Sequence, residues 1–311
     1  MRKHTNYIAV AGGANIDIGG KSRQRLLPRD SNPGTVKLSL GGVARNIAHN
    51  LALLDVPVKL FTAIGNDLYA DLIIQSCNTL GIDLHARRSG DASTSTYLYI
   101  ADTDGDMVYA VSDMDVCAHL TPAFFKSRMD LINGASALVI DTNMPEETVL
   151  YLAKNARVPV FADPVSTAKA GRLQAALPHL HTIKPNRAEA ELLCGIPVNT
   201  NEDALRAARM LLEKGIQQVF LTLGADGVLV ARNGQADAEH IPPCHMEAHS
   251  FTGAGDAFMA GLVCSYLRGY DPVKAAHTAS AAAAVAAASM ETINEALSPA
   301  YLDRVVKDNE A

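Results

Sequence analysis

The sequence predicts an α/β fold with a mostly parallel central sheet that carries helices on both faces. The first observation is the regular alternation of short apolar runs with helix-periodic segments in the second half of the chain. The second is that 311 residues, 48% hydrophobic and 19% charged, suit a single folded domain over 1–311. The predicted strands lie at 137–141, 158–162, 182–184 and 218–223, with helices between them at 146–155, 187–194 and 202–214.

The N-terminal half begins with a buried strand at 8–11, which polar residues follow directly. Ligands of open α/β sheets collect outside the carboxyl ends of strands, so we expect Asn15 and Asp17 to contact a substrate. Gly41 and Gly42 then open a helix, and Asn46 lies off its apolar face.

A small β-sheet lid is expected over the substrate pocket. The runs at 94–101 and 107–112 flank a turn-forming Asp- and Gly-rich segment, which is a hairpin signal. The Gly-, Pro- and charge-rich stretch at 19–39 lacks helical period and is expected as a loop or a strand excursion. We expect the lid to comprise about 14–40 and 90–115, and to pair with a second subunit through its strand edges to make a homodimer.

Composition excludes several functional classes. A net charge of −6 without a basic block argues against a nucleic-acid partner. The five scattered cysteines form no Cys-x-x-Cys pair and are typical of reduced thiols in a cytoplasmic protein. The Ala-rich run at 275–288 holds polar residues, so it predicts a closely packed helix and no contact with a membrane.

The stretch Gly253-Ala254-Gly255-Asp256 opens an apolar helix and carries the clearest chemical signal. The first turn of a helix offers unpaired N–H groups and a positive dipole end, which favour an anion. A carboxylate beside such an anion is explained if Asp256 accepts a proton while the Ala254 and Gly255 N–H groups hold a transferred phosphoryl group. The structural alternative is a helix that follows a glycine turn.

Two further stretches follow predicted strands. Asn186 and Glu189 share the first turn of a helix after Lys184, where they are suited either to a capping box or to the water shell of Mg²⁺. Thr222, Gly224 and Gly227 form a glycine turn that suits either a hairpin or backbone contact with nucleotide phosphates and ribose.

The chain carries these motifs in this order, and from end to end it resembles the ribokinase-like (PfkB) family of sugar and nucleoside kinases. The resemblance implies a ribokinase-like fold in which ATP and Mg²⁺ phosphorylate a ribose hydroxyl of a small-molecule substrate. It implies that Asp256 is the base, with Gly253, Ala254 and Gly255 as the anion hole. The other implied contacts are with substrate (Asn15, Asp17, Gly41, Gly42, Asn46, Thr96 and Asn143), nucleotide (Lys184, Asn186, Thr222, Gly224 and Gly227) and Mg²⁺ (Asn186 and Glu189). Thr94 and Ser95 are further candidates for base contacts.

One departure from the family pattern concerns a monovalent cation. Many members carry Asp two residues before the Thr of the Thr-Gly-Ala-Gly-Asp run, and Ser250 stands there in this chain. In the family that Asp helps to hold a monovalent cation beside the anion hole, so Ser250 argues against dependence on K⁺.

Other functions compete with a nucleoside kinase. A kinase of the same family acting on ribose, another nucleoside or a ketose shares all of these motifs. An inactive sugar- or nucleoside-binding protein would not need the carboxylate of Asp256. A dinucleotide-dependent oxidoreductase lacks its glycine fingerprint here, because Phe258 stands where the third glycine belongs.

Overall fold

The computed structural model describes residues 7–235 and 237–310 and shows two β-sheets with helices packed around the larger one. The strands are β1 (Ile8–Ala11), β2 (Asn15–Ser22), β3 (Gly34–Gly41), β4 (Val58–Ile64), β5 (Asp83–Arg88), β6 (Thr96–Ala101), β7 (Met107–Asp113), β8 (Ala137–Asp141), β9 (Val160–Asp163), β10 (Thr182–Ile183), β11 (Gln218–Thr222), β12 (Val228–Arg232) and β13 (Glu239–Ile241). The helices are α1 (Val43–Leu53), α2 (Leu68–Thr79), α3 (Pro122–Lys126), α4 (Met129–Asn133), α5 (Glu146–Asn155), α6 (Thr167–Ala170), α7 (Arg187–Cys194), α8 (Asn201–Glu213), α9 (Ala254–Leu267), α10 (Pro272–Ala287) and α11 (Pro299–Glu310).

The larger sheet has the strand order β13-β12-β11-β10-β9-β8-β1-β4-β5. Its strands from β11 to β5 pair in parallel, and β12 and β13 add an antiparallel edge. The sheet is therefore mostly parallel, as the sequence predicts.

A hydrophobic core fills each face of this sheet. Along β1, Ala9 and Ala11 belong to the core under α5, α7 and α8, whereas Ile8 and Val10 belong to the core under α1, α2 and α9. This alternation follows from the two-residue period of a strand whose faces are both covered. The prediction of helices on both faces is confirmed.

The smaller sheet, which we call the lid, has the order β3-β2-β6-β7. It is mixed, because β2 pairs in parallel with β6 while β3 and β7 pair antiparallel to their neighbours. The 19–39 stretch comprises the end of β2, most of β3 and the loop between them, so it is a strand excursion rather than a plain loop.

Several elements were not predicted from the sequence. These are β5 at one edge of the larger sheet, the β12–β13 extension at the other, and the C-terminal helix α11. Among the described residues, no helix has both the length and the apolar character needed to cross a membrane.

Candidate functional site

The candidate site lies at the carboxyl ends of the parallel strands, where the N-termini of α1, α7 and α9 meet. Asp141 ends β8 and Asp163 ends β9, and the two residues are paired in register. Lys184 directly follows β10. The fold thus collects two buried carboxyls and one buried amine at the edge where open α/β sheets bind ligands.

Asp256 is the third residue of α9, behind the glycine that begins this helix. Gly253 has a φ of 82°, and a Cβ there would overlap the Thr292 carbonyl oxygen, so a larger residue would displace the helix start. Asp256 is 8% exposed, and Asn46 Nδ2 donates to its Oδ2 at 2.7 Å. These two residues lie 210 positions apart in the sequence.

The environment of Asp256 raises its pKa to about 7. Burial is the main cause, and the negative charges of Asp163 and Asp141 add to it, while the Asn46 hydrogen bond and the Lys184 charge oppose it. A carboxyl group with a pKa near neutral pH is suited to accepting a proton from a hydroxyl.

The backbone N–H groups at the start of α9 lie beside a cation. Lys184 Nζ is 3.1 Å from the position that a Cβ on Gly255 would occupy, and it forms an ion pair with Asp163 Oδ2 at 3.1 Å. Ala254 N–H is already engaged, since it donates to the Phe251 carbonyl at 3.3 Å. The helix start and the ammonium group together give this spot the positive character that a phosphoryl group requires.

Buried carboxyl groups outnumber cations around Lys184. Burial lowers its pKa, but the charges of Asp163, Glu189 and Asp256 raise it by more, so the amine stays protonated. One ammonium group therefore faces three buried carboxyls. An additional cation would balance the excess negative charge of these carboxyls. Mg²⁺ suits this role because it prefers oxygen ligands.

Asn186 and Glu189 form the capping box of α7. Asn186 Oδ1 accepts from Glu189 N at 2.9 Å, and Glu189 Oε2 accepts from Asn186 N at 2.9 Å. Burial raises the pKa of Glu189, and Lys184 opposes that shift. Glu189 Oε1 takes no part in the capping box and Asn186 Oδ1 keeps a second lone pair, so the structural role does not by itself exclude a metal-bound water shell. Among the described residues, no group of three or more His, Cys, Asp or Glu residues is placed to hold a metal directly.

The predicted nucleotide turn lies beside this capping box. Thr222 pairs with Asn186 in an isolated parallel bridge and donates from its N–H to the Pro185 carbonyl at 2.9 Å. Gly224 and Gly227 lie in the short turn that joins β11 to β12, so this stretch does form a hairpin. The same hairpin brings Thr222 to the site edge.

Asn15 and Asp17 lie where the lid meets the central sheet. Asn15 Nδ2 donates to Asp17 Oδ1 at 2.7 Å. A Cβ on Gly41 would overlap the Asp17 carboxyl group, so glycine is what allows this side chain to approach the backbone. Burial raises the pKa of Asp17, while Asn15 and Arg45 lower it.

Asp141 is a residue to which the sequence analysis assigned no role. Its carboxyl group accepts from the N–H groups of Gly13, Ala44 and Asn143 at 2.9 Å each, and from Asn143 Nδ2 at 3.0 Å. It therefore joins the turn after β1, the start of α1 and the turn after β8. The sequence feature that could have identified Asp141 was the position of an aspartate at the end of a buried strand. Lys169 then donates from Nζ to Asn143 Oδ1 at 2.6 Å, which the sequence also gave no reason to expect.

The lid residues divide between its two faces. Asp17 pairs with Tyr97 and Ile16 pairs with Thr96, and directly paired side chains share a face. Thr96 therefore lies on the face opposite to Asp17. Thr94 is occupied by Asp67 and Gly65, so it fixes a turn. Tyr97 and Tyr99, which the sequence analysis did not select, share the Asp17 face.

Ser250 lies in the segment that leads to α9. Its N–H donates to the Ala287 carbonyl at 3.1 Å, and its hydroxyl oxygen accepts from Thr252 N at 3.3 Å. These contacts hold the backbone that leads into α9.

A buried carboxyl group of near-neutral pKa beside a cationic helix start is an arrangement suited to base-assisted phosphoryl transfer. The family model of the pfkB family carbohydrate kinases matches residues 5–299. The chain belongs to this family. It is a sugar or nucleoside kinase, a phosphotransferase with an alcohol group as acceptor.

Similar proteins agree with this assignment. The chain is 35% identical to the pseudouridine kinase of Escherichia coli over 99% of both chains. It is 38% identical to the sugar kinase YeiI of the same organism, over 94% of this chain and 81% of that protein. Among solved structures, the ribokinase of Arabidopsis thaliana complexed with ribose and ATP matches with a TM-score of 0.85 at 21% identity, over 97% of this chain and 99% of that one. The ribokinase-like fold is thereby confirmed.

Proposed function

We propose that this kinase transfers a phosphoryl group from ATP to the ribose 5′-hydroxyl of pseudouridine and releases pseudouridine 5′-phosphate. The observation that carries the chemistry is the buried Asp256, held by Asn46 beside the start of α9. The similarity to the E. coli pseudouridine kinase over 99% of both chains supports the choice of nucleoside.

Asp256 is the general base of this proposal. It accepts the proton of the 5′-hydroxyl as that oxygen attacks, and its pKa of about 7 suits it to do so near neutral pH. The N–H groups of Gly253 and Gly255, the ammonium group of Lys184 and, once it leaves the Phe251 carbonyl, the N–H group of Ala254 hold the negative charge of the transferred phosphoryl group.

The nucleotide lies against the edge formed by Lys184, Asn186 and Thr222, with Gly224 and Gly227 supplying backbone contacts. The excess of carboxyls around Lys184 fits a magnesium ion, for which Asn186 and Glu189 hold the water shell. When bound, Mg²⁺ supplies charge neutralisation for the phosphate oxygens.

The nucleoside lies between the lid and the carboxyl ends of β1 and β8. Asp17 accepts the vicinal ribose hydroxyls, and Asn15 holds its carboxyl group in place. Gly41, Gly42 and Asn46 line the ribose pocket beside them. Asn143, held by Asp141 and Lys169, is the candidate contact to the base.

The proposal is tested by ATP consumption with Mg²⁺ against pseudouridine, uridine, adenosine, inosine, ribose and fructose. We expect kcat/KM for pseudouridine to exceed that for uridine by about a hundredfold or more, because a site built to bond the second ring N–H of pseudouridine rejects uridine, in which that nitrogen carries the ribose. The Asp256→Asn protein, prepared identically, controls for contaminating kinases. Preference for ribose, a ketose or another nucleoside would replace the proposed substrate. Silence on the whole panel would favour an inactive binding protein.

Asp17→Asn is expected to weaken nucleoside binding selectively. The amide loses one acceptor and the negative charge, which is worth about 1.5–3 kcal/mol for a charge-assisted hydrogen bond. The nucleoside KM should therefore rise about tenfold to a hundredfold, with the KM for ATP unchanged within about twofold. Asp104→Asn, in the exposed turn between β6 and β7, is the matched control. An unaltered nucleoside KM would remove Asp17 from the site.

We also propose that two copies of this chain pair through their lids. One face of the lid is apolar and exposed. Its most exposed apolar side chains, with their exposed fractions, are Val36 (72%), Tyr109 (68%), Val111 (64%) and Leu38 (50%). Cross-strand pairing places these side chains on the face opposite to Asp17. A lone chain would leave this continuous apolar surface in water, and a second lid is a self-complementary cover for it.

Val36→Glu is expected to convert a dimer into a monomer, because it places a charge on the apolar face that would be buried between the two lids. Light scattering coupled to size-exclusion chromatography measures the mass at matched concentration. Leu68→Glu, at an 80% exposed position on α2, is the control and should leave the mass unchanged. A wild-type protein that elutes as a monomer would refute lid pairing.

A further inference from the structure

Arg45 occupies a position that two local rules disfavour. It is the third residue of α1, where the positive end of the helix dipole repels a cation. It is also only 2% exposed, and burying a charge is costly unless it is paired. Local rules are most often broken where function requires it.

The guanidinium group of Arg45 contacts three acceptors. Nη2 donates to the Leu40 carbonyl at 2.8 Å and to the Asn46 side-chain oxygen, and Nη1 lies 3.2 Å from His49 Nδ1. Within the described part of the chain, no carboxylate lies at ion-pair distance from it. Burial lowers the pKa of Arg45 to about 10, against the opposing effects of Cys77, Asp256, Asp17 and Glu295. The group remains charged at neutral pH.

Asn46 lies between a group that can only donate and a group that accepts. A guanidinium group has no acceptor, and an ionised carboxylate has no donor. Since Arg45 donates to Asn46 Oδ1, the amide must turn its NH₂ group towards Asp256. Without Arg45, nothing among these contacts prevents the amide from turning its oxygen towards Asp256 and accepting from the protonated carboxyl group, which would favour that protonated form.

We propose that Arg45 is a positioning residue for Asp256, which it controls by fixing the Asn46 amide as a donor and by supplying a positive charge behind it. This inference rests on the proposed function of Asp256 as the base. Arg45 touches neither substrate in this arrangement, and it keeps the carboxylate form of Asp256 available to accept the proton.

His49 and Glu295 continue this chain of contacts towards the surface. Burial lowers the pKa of His49, as does Arg45, so the ring is neutral and its Nδ1 accepts from Arg45. The proton then resides on Nε2, 3.1 Å from Glu295 Oε1. The negative charge of Glu295 beside Nε2 therefore favours the His49 tautomer that Arg45 requires.

The remaining charges around Asp256 come from other elements. Asp163 on β9 and Asp141 on β8 disfavour its ionised form, while Lys184 after β10 favours it. Arg45 is the cation on the α1 side. Once the charge of Arg45 is removed, Lys184 is the one cation among these groups that still favours the ionised form of Asp256.

The test is the pH dependence of kcat for Arg45→Met with pseudouridine and ATP. We expect the acidic limb of the profile to move upward by about one pH unit, the lower end of the effect of a nearby opposite charge. Activity at pH 7 should fall about fivefold and recover largely by pH 9, with the KM for ATP unchanged within about twofold. If the acidic limb of the pH profile stays in place in a folded Arg45→Met protein, the inference is overturned.

Two further variants separate positioning from plain loss of stability. Arg45→Gln keeps a polar donor on a shorter, uncharged side chain, so it serves if the Met variant does not fold, and the acidic limb of its pH profile should also move upward. Arg268→Met removes a guanidinium at the far end of α9, where it pairs with Asp303 at 2.8 Å. This control should lower the melting temperature and leave the limb in place.

A readout without catalysis distinguishes this inference from the proposed function. The stabilisation that Asp256→Asn confers at pH 8 should be larger in the Arg45→Gln background than in the wild-type background, because Asp256 ionises less readily there. Equal stabilisation in both backgrounds would overturn the inference. If the coupling is present but no nucleoside is phosphorylated, the proposed function fails and the control of Asp256 by Arg45 stands.

Discussion

Asp256→Asn is expected to lower kcat by about two to four orders of magnitude, the usual contribution of a general base. The amide keeps the size of the side chain but cannot accept the proton of the attacking hydroxyl. The KM for ATP should change little, because the α9 start and Lys184 remain. Steady-state kinetics with pseudouridine at pH 7.5 provides the measurement. Full activity in this variant would remove Asp256 as the base.

The same substitution is expected to stabilise the fold in neutral and alkaline solution. The folded-state pKa of about 7 is raised above that of the unfolded chain, which is about 3.9 for aspartate. The folded protein therefore holds a proton that the unfolded chain releases between these values, and stability is lost as the pH rises from about 4 to 7. Asparagine does not ionise and avoids this loss.

Urea unfolding of the two proteins at several pH values measures this difference. We expect Asp256→Asn to be more stable than the wild type by about 2–4 kcal/mol at pH 8, and the difference to shrink towards pH 4. A difference that does not depend on pH would mean that Asp256 ionises normally in the fold. It would also remove the physical reason for its suitability as a base.

Asp141→Ala is expected to have the largest effect on stability. The change leaves four buried donors without their acceptor, and each unsatisfied donor costs about 1–3 kcal/mol before relaxation and water entry. We expect a loss of about 3–5 kcal/mol in the free energy of unfolding, the upper range for single substitutions. The loss should be accompanied by a higher nucleoside KM, because the same carboxyl group holds Asn143.

Asp104→Ala in the exposed lid turn is the control for Asp141→Ala and should change stability by about 0.5 kcal/mol or less. If Asp141→Ala cost less than about 1 kcal/mol, the carboxyl group would not be joining the three segments. Water would then be replacing it as the acceptor for their N–H groups.

The sequence by itself determined the elements whose signal is local. The strand at 137–141 and the helices at 146–155 and 187–194 were predicted with the bounds that the structure has. Apolar periodicity and strand-ending polar residues are properties of a few neighbouring positions, so no distant contact is needed to recognise them. The start of α9 at Ala254 follows the same logic, since a glycine and an acidic first turn mark a helix end locally.

Tertiary structure alone decided which residues meet. Asn46 contacts Asp256, and the Asp141 carboxyl group accepts from Gly13 and Ala44, across segments that the chain brings together only when it packs. The burial of Arg45 likewise results from this packing. The lid gives a second example, because a strand register that differed by one residue would have put Thr96 rather than Tyr97 on the face of Asp17. Register is set by packing between strands, and periodicity within one strand cannot reveal it. The residue types at the site were therefore readable from the sequence, whereas their partners were fixed by long-range contacts.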